Sequence, residues 1–185
     1  MKQLFLTLSL ACVTLFAFAQ DIPVGMRMEV AEVEDNNNDY SLFKYKDEDG
    51  TVGYYLSMGR VFKLYEATDE DNNVTSSLSH IDETCIWMGA TSDEVFAAIE
   101  SLLALLDKDP GFTVEFPCRL ATWSEKLGDH SMATCIVTKR FLQGKRLCFH
   151  FVKGRRTASA DLTRSGIKSL RWSYNLYLKI HPNEK

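Results

Sequence analysis

Apolar side chains recur at every second position through most of this chain, and at every third or fourth in two stretches. Met26, Met28, Val30 and Val33 alternate with Arg27, Glu29 and Glu32, so 26–34 is predicted as a strand. Short apolar and aromatic runs follow at 41–46, 51–57, 61–68, 74–80 and 85–88. Asp49-Gly50 between two of them predicts a tight hairpin, because glycine takes the positive φ such a turn needs. Ser57-Met58-Gly59-Arg60 and Asp69–Asn73 are predicted to turn the chain too, which makes the first half an antiparallel meander.

The period changes at Thr91. Thr91-Ser92-Asp93-Glu94 fits a capping box, in which the Thr hydroxyl and the Glu carboxylate each satisfy an orphan backbone N–H. Val95, Phe96, Ala98, Ile99, Leu102, Leu103, Leu105 and Leu106 then cover about half of a helix circumference, until Asp109-Pro110-Gly111 stops it. A second helix is predicted after the cap Thr163, with Ile167, Leu170, Tyr174, Tyr177 and Leu178 on one stripe. Trp172, Leu176 and Ile180 form another stripe on its far side. Tyr174, Leu176, Leu178 and Ile180 also read as an alternating strand over 173–181. Nothing between Ile167 and His181 turns the chain, which favours one helix ending before Pro182. A shift of 72 residues lays Thr91 on Thr163, Val95 on Ile167 and Leu102 on Tyr174, the pattern of an internal repeat.

Between the helices, Thr113–Leu120 alternates, with Pro117 mid-run marking an edge or bulge position. Met132–Lys153 reads as two strands joined at Gln143-Gly144. A two-residue turn there puts Ile136, Leu142, Leu147, Phe149 and Phe151 on the core face. Cys135, Val137, Lys139, Phe141, Arg146, Cys148, His150 and Val152 then share the other. The predicted fold is α+β: a mostly antiparallel sheet with two amphipathic helices, ordered β-meander, α, β-hairpins, α. That order is similar to the tandem helix-plus-sheet layout of bacterial secreted inhibitors of the β-lactamase inhibitory protein kind, and the resemblance implies an inhibitor-like role.

The first residues carry a different signal. Lys2, an apolar run from Leu4 to Phe18 and Ala17-Phe18-Ala19 predict a secretory signal peptide over 1–19 and a single domain over 20–185. The run is too short and too rich in Ser and Thr for a transmembrane helix. The segment resembles the signal peptides of small exported proteins of the Bacteroidota, which implies a periplasmic or secreted location. Export places Cys85, Cys118, Cys135 and Cys148 where disulfides persist. Strand register ranks Cys118–Cys135 first among the pairings, against the reading of four buried thiols acting as small apolar side chains.

Charge is unevenly distributed. Residues 20–111 carry 20 Asp/Glu against 6 Lys/Arg, whereas 112–185 carry 5 against 14. Either the halves neutralise each other in one sheet, or the basic half meets an anionic partner. Two basic clusters stand out: Arg140, Lys145 and Arg146 around one turn, and Lys153, Arg155 and Arg156 at the far end of the same strand. They suit an anionic glycan, a lipid headgroup or an acidic protein. Nucleic acid fits poorly with an exported, acidic chain.

No motif commits the chain to a reaction or a cofactor. G-x-S-x-G and H-E-x-x-H are absent, and the S-x-x-K matches at Ser41 and Ser165 lack their S-D-N and K-T-G companions. Asp69-x-Asp71-x-Asn73 opens like a calcium loop, but Val74 stands where glycine is needed and His80 where glutamate is. Cys148-x-His150 lacks the further ligands of a zinc site. The expected function is an exported, non-catalytic binding or inhibitor-like module. It would use the basic hairpin and the Trp172, Leu176 and Ile180 strip, a strip that also suits self-association. The alternative is a ligand-binding or enzymatic domain with a pocket between helix and sheet, lined by polar groups such as His150.

Overall fold

The computed structural model describes residues 22–184 apart from 36–37, 72, 122–125, 142–143 and 154–155. Over 35, 38, 59–68, 74–82, 129, 152–153 and 156–158 it describes the backbone alone. Eight strands occur among these residues: β1 (Arg27–Asp35), β2 (Asn38–Lys46), β3 (Val52–Thr68), β4 (Val74–Gly89), β5 (Thr113–Ala121), β6 (Leu127–Arg140), β7 (Gly144–Lys153) and β8 (Arg156–Thr163). Helix α1 (Ser92–Leu105) follows β4, and α2 (Arg164–Ile180) follows β8. All neighbouring strands are antiparallel and stand in sequence order, one sheet from β1 to β8. The predicted α+β class and the order of its elements are those observed.

Local chemistry explains most boundaries. Asp47 and Thr51 close the β2–β3 hairpin, with Gly50 at φ 85°. The capping box on α1 is complete, since Thr91 accepts from Glu94 N and the Glu94 carboxylate accepts from Thr91 N. Thr163 caps α2 through its hydroxyl alone, accepting from Gly166 N, since Gly166 has no side chain to complete a box. The stretch 173–181 is helical as far as Ile180. Pro117 lies one residue beyond the last β4–β5 rung, Ile86 opposite Cys118, where its missing N–H costs no ladder bond.

Two predicted features take another form. Ser57–Arg60 does not turn the chain: β3 runs straight through it, and the register slips between Ser57 and Arg60 as a β-bulge. Four predicted runs therefore merge into the long strands β3 and β4. The β6–β7 connection is the second. Arg140 stands opposite Gly144, so three residues separate the strands, and Gly144 takes φ 78°. The register moves by an odd number of residues from a two-residue turn, which reverses the faces of β6 relative to β7. Ala133, Cys135 and Val137, with Leu147, Phe149 and Phe151, point into the core. Ile136 lies on the opposite face, in the row of Cys148, and Leu142 lies outside the described residues.

The main core fills the space between one sheet face and both helices. Val95, Ile99, Leu102 and Leu106 from α1 and Ile167, Leu170, Tyr174 and Leu178 from α2 meet Leu42, Leu56, Ile86, Leu147 and Phe149 of the sheet. Each such side chain contributes roughly 1.5–3 kcal/mol of gross burial free energy. The helices lie side by side and antiparallel. Phe96 packs on Tyr174, Glu100 pairs with Arg171, and Asp107 just past α1 pairs with Arg164. A smaller cluster of Phe43, Tyr45, Tyr55, Cys85, Ala121 and Leu127 occupies the other face of β2 to β6. Ion pairs thread it: Arg27 with Glu83 at 2.9 Å, and Arg119 with Asp47 at 2.7 Å.

A short 3₁₀ turn, Pro182–Glu184, fastens the end of α2 to β2. Lys44 forms an ion pair with Glu184 beneath the rings of Tyr54 and Tyr177, and the Tyr177 hydroxyl donates to Glu184 Oε2 at 2.6 Å. Burial pushes the Glu184 carboxyl up, but the hydrogen bonds from Lys44 and Tyr177 and the Lys44 charge outweigh it, so its pKa lies below the ordinary value. A depressed carboxylate stabilises the fold above its unfolded pKa and ceases to do so as the pH falls through its folded pKa. Glu184→Gln is therefore expected to lower the urea midpoint at pH 7, with the gap to the parent closing below about pH 4. A gap that persists into acid would assign the effect to packing instead of charge.

Candidate functional site

The basic hairpin is built into the protein's own framework. Asp161 on β8 receives Arg140 at 2.5 Å and Arg146 at 3.5 Å. Arg146 is buried, Arg140 is exposed, and both charges converge on one carboxylate. Lys145 donates to the carbonyl oxygens of Lys108 at 2.6 Å and Asp107 at 3.4 Å, capping the C-terminal end of α1. The first basic cluster thus holds β8 and α1 to the hairpin, and its cations are engaged within the chain. In the second cluster Arg155 lies outside the described residues, as do the side chains of Lys153 and Arg156. The charge asymmetry of the sequence is offset across the fold: Arg119 meets Asp47, Arg164 meets Asp107 and Arg171 meets Glu100.

The centre of the interface between helices and sheet is filled by apolar side chains, and an open groove lies at its edge, where the end of α1, Lys145 and the start of α2 meet. His150 sits on the opposite face of the sheet, exposed, so it does not line that groove. Its Nε2 stands 3.4 Å from Cys148 Sγ. That thiol is a poor nucleophile, because burial and the Asp161 carboxylate beside it push its pKa up to about 11. Burial likewise pushes Cys118 to about 11, Cys135 to about 12 and Cys85 upward. All four cysteines are free thiols, and the predicted Cys118–Cys135 bridge is not made. Cys118 stands opposite Ser131 and Cys135 opposite Val114, four residues apart along β6. At roughly 3.3 Å per residue that offset far exceeds the reach of a disulfide. The strands pair about a centre nearer the N-terminus than the sequence-based register assumed.

Two open grooves lie among the described residues. One, of about 500 Å³, lies where Leu106, Asp107, Lys145 and the start of α2 meet. The other, of about 640 Å³, is lined by Tyr45, Asp47, Arg119, Lys126 and His130. Their chief polar groups are already engaged. Arg119 donates to Asp47, Leu127 O and Gly128 O, and Arg164 donates to Asp107. No sequence signal marked Arg119 and Asp47, because they are 72 residues apart and join two hairpins that only the sheet brings together. Asp69 of the calcium-like loop accepts from Asp71 N and Asn73 N as an ordinary hairpin turn. Among the described residues no group of three or more His, Cys, Asp or Glu is arranged to hold a metal ion, and no helix is long and apolar enough to cross a membrane.

Among the described residues, the outer face of α2 presents a row of exposed apolar side chains; Phe141 and Met132 are exposed too, but outside that row. Trp172, Leu176 and Ile180 are 67%, 44% and 68% exposed, while Ile167, Leu170, Tyr174 and Leu178 on the inner face are buried. Exposed Lys168 and Lys179 lie along the same outer face, and the helix contains no carboxylate. Trp172 and its neighbours thus form an apolar strip edged by cations. No protein-family model, no curated protein and no solved structure matches this chain.

Proposed function

We propose that this protein is an exported, non-catalytic binding module, inhibitor-like in character, that meets its partner with the outer face of α2. The observation that carries this reading is the strip of Trp172, Leu176 and Ile180, left to solvent by a helix whose other stripe buries Ile167, Leu170, Tyr174 and Leu178. Water-exposed aromatic and aliphatic side chains in a row are costly in isolation and favoured at contact centres. Raised thiol pKa values and spent polar groups in both grooves support a binding role over a catalytic one. The predicted signal segment over residues 1–19 supports a periplasmic or secreted location of the Bacteroidota type. With Arg140, Lys145 and Arg146 engaged internally, the hairpin contributes less to partner attraction than its sequence suggests.

A photo-crosslinking side chain at position 176 tests the reading. The expected result is a saturable adduct that unlabelled parent protein competes away and a Trp172→Arg variant does not. Adduct yields no greater than from the same probe at Thr134, on the opposite face of the sheet, would overturn it.

A further inference from the structure

We infer that the partner of this face is a second copy of the same chain, joined helical layer to helical layer about a two-fold axis. The inference rests on the reading of α2's outer face as a contact surface and specifies what occupies it. Three observations converge on it. First, the two helices differ in charge: α1 exposes Asp93, Glu94 and Glu100 and contains no cation, whereas α2 exposes Arg164, Lys168, Arg171 and Lys179 and contains no carboxylate. Pairing α2 with α2, or α1 with α1, would oppose like charges; only α1 against α2 is complementary.

Second, the exposed side chains match in size. At 100° per residue Trp172, Leu176 and Lys179 point outward from α2, and Ala97, Ser101 and Ala104 point outward from α1. A row of small side chains offers a shallow floor on which a large ring can lie. Third, the helices are antiparallel and in step, with Phe96 level with Tyr174, Glu100 with Arg171 and Asp107 with Arg164. A two-fold axis parallel to the helices along that seam therefore lays α1 of one copy over α2 of the other, again antiparallel. Trp172 then falls between positions 96 and 100 of the other copy, over Ala97 and Ser101. Lys179 comes towards the other copy's Asp93 at the start of α1. Each contact occurs twice, as an isologous interface requires.

Sedimentation of the purified protein over a concentration series tests the proposal. A monomer–dimer equilibrium is expected, weakened about thirty-fold or more by Trp172→Arg, the loss typical of a central aromatic anchor. Ala97→Trp, on the other helix, is expected to weaken it as strongly. Lys179→Glu and Asp93→Lys should each weaken it, and the double charge reversal should restore it. Carbodiimide coupling of mixed ¹⁴N and ¹⁵N chains should join Lys179 of one chain to Asp93 of another. A monomer at every concentration, or a dimer indifferent to Trp172→Arg and Ala97→Trp, overturns the inference. A strictly monomeric protein that still yields the competed adduct at position 176 would refute the second copy and leave the binding module standing. The absence of both would refute the two readings together.

Discussion

Glu83→Ala is expected to destabilise the protein by about 3–5 kcal/mol, one of the two largest losses available to a single substitution in this chain. Glu83 is 4% exposed, accepts from Arg27 Nη1 at 2.9 and 3.0 Å, and takes the Ser57 hydroxyl at 2.6 Å. Removing it withdraws both carboxylate oxygens from the Arg27 guanidinium, which faces the Phe43 ring in a nearly buried place. The pair itself need not be strongly stabilising, because desolvating two ions cancels most of their attraction. The large cost belongs to breaking it. Arg27→Met combined with Glu83→Leu should therefore lose much less than Glu83→Ala alone. Urea unfolding of the three variants is the measurement, and a Glu83→Ala loss below about 1 kcal/mol would show that water reaches the site.

Tyr174→Ala is the second. Tyr174 is fully buried where α1, α2 and the sheet meet, with its ring against Tyr54, Phe96 and Tyr177. Deleting a large buried ring removes its transfer free energy and leaves a cavity that rigid neighbours fill poorly, a loss of about 3–5 kcal/mol. Trp172→Ala, two residues away, is expected to change stability by no more than about 0.5 kcal/mol when unfolding is followed at concentrations where the chain is monomeric, because that ring is 67% exposed. The contrast separates a residue of the fold from a residue of the contact surface on one helix. Equal losses at both positions under those monomeric conditions, measured by thermal or urea unfolding, would mean that Trp172 is packed inside the protein.

The two substitutions also mark what was legible beforehand. Tyr174 belongs to a stripe repeating at helical spacing after a capping threonine, so its burial follows from periodicity and chain stiffness alone. Glu83 reads as one more acidic residue in an acidic stretch. Its burial depends on Arg27, 56 positions away, and on a sheet that sets β1 and β4 within reach of each other. The same division runs through the proposed surface. Trp172, Leu176 and Ile180 were visible as a second stripe, whereas the internal use of Arg140, Lys145 and Arg146 was not. Their partners, Asp161 and the carbonyls at the end of α1, come from elements that the sequence does not place side by side.

By itself the sequence determined the elements whose causes are local: both helices with their threonine caps, the Asp49-Gly50 hairpin, the alternating strands and hence the α+β class. These rest on hydrogen bonds and side-chain spacing within a few residues, which no distant contact has to supply. Tertiary structure alone decided the registers. One residue more in the β6–β7 turn moved Ile136 out of the core and Cys135 and Val137 into it, and a four-residue offset along β6 separated Cys118 from Cys135. Register follows from the sum of many cross-strand packings, and a change of one residue reverses every side chain on a strand. Short-range pattern cannot resolve a choice whose free energy is spread across the whole sheet.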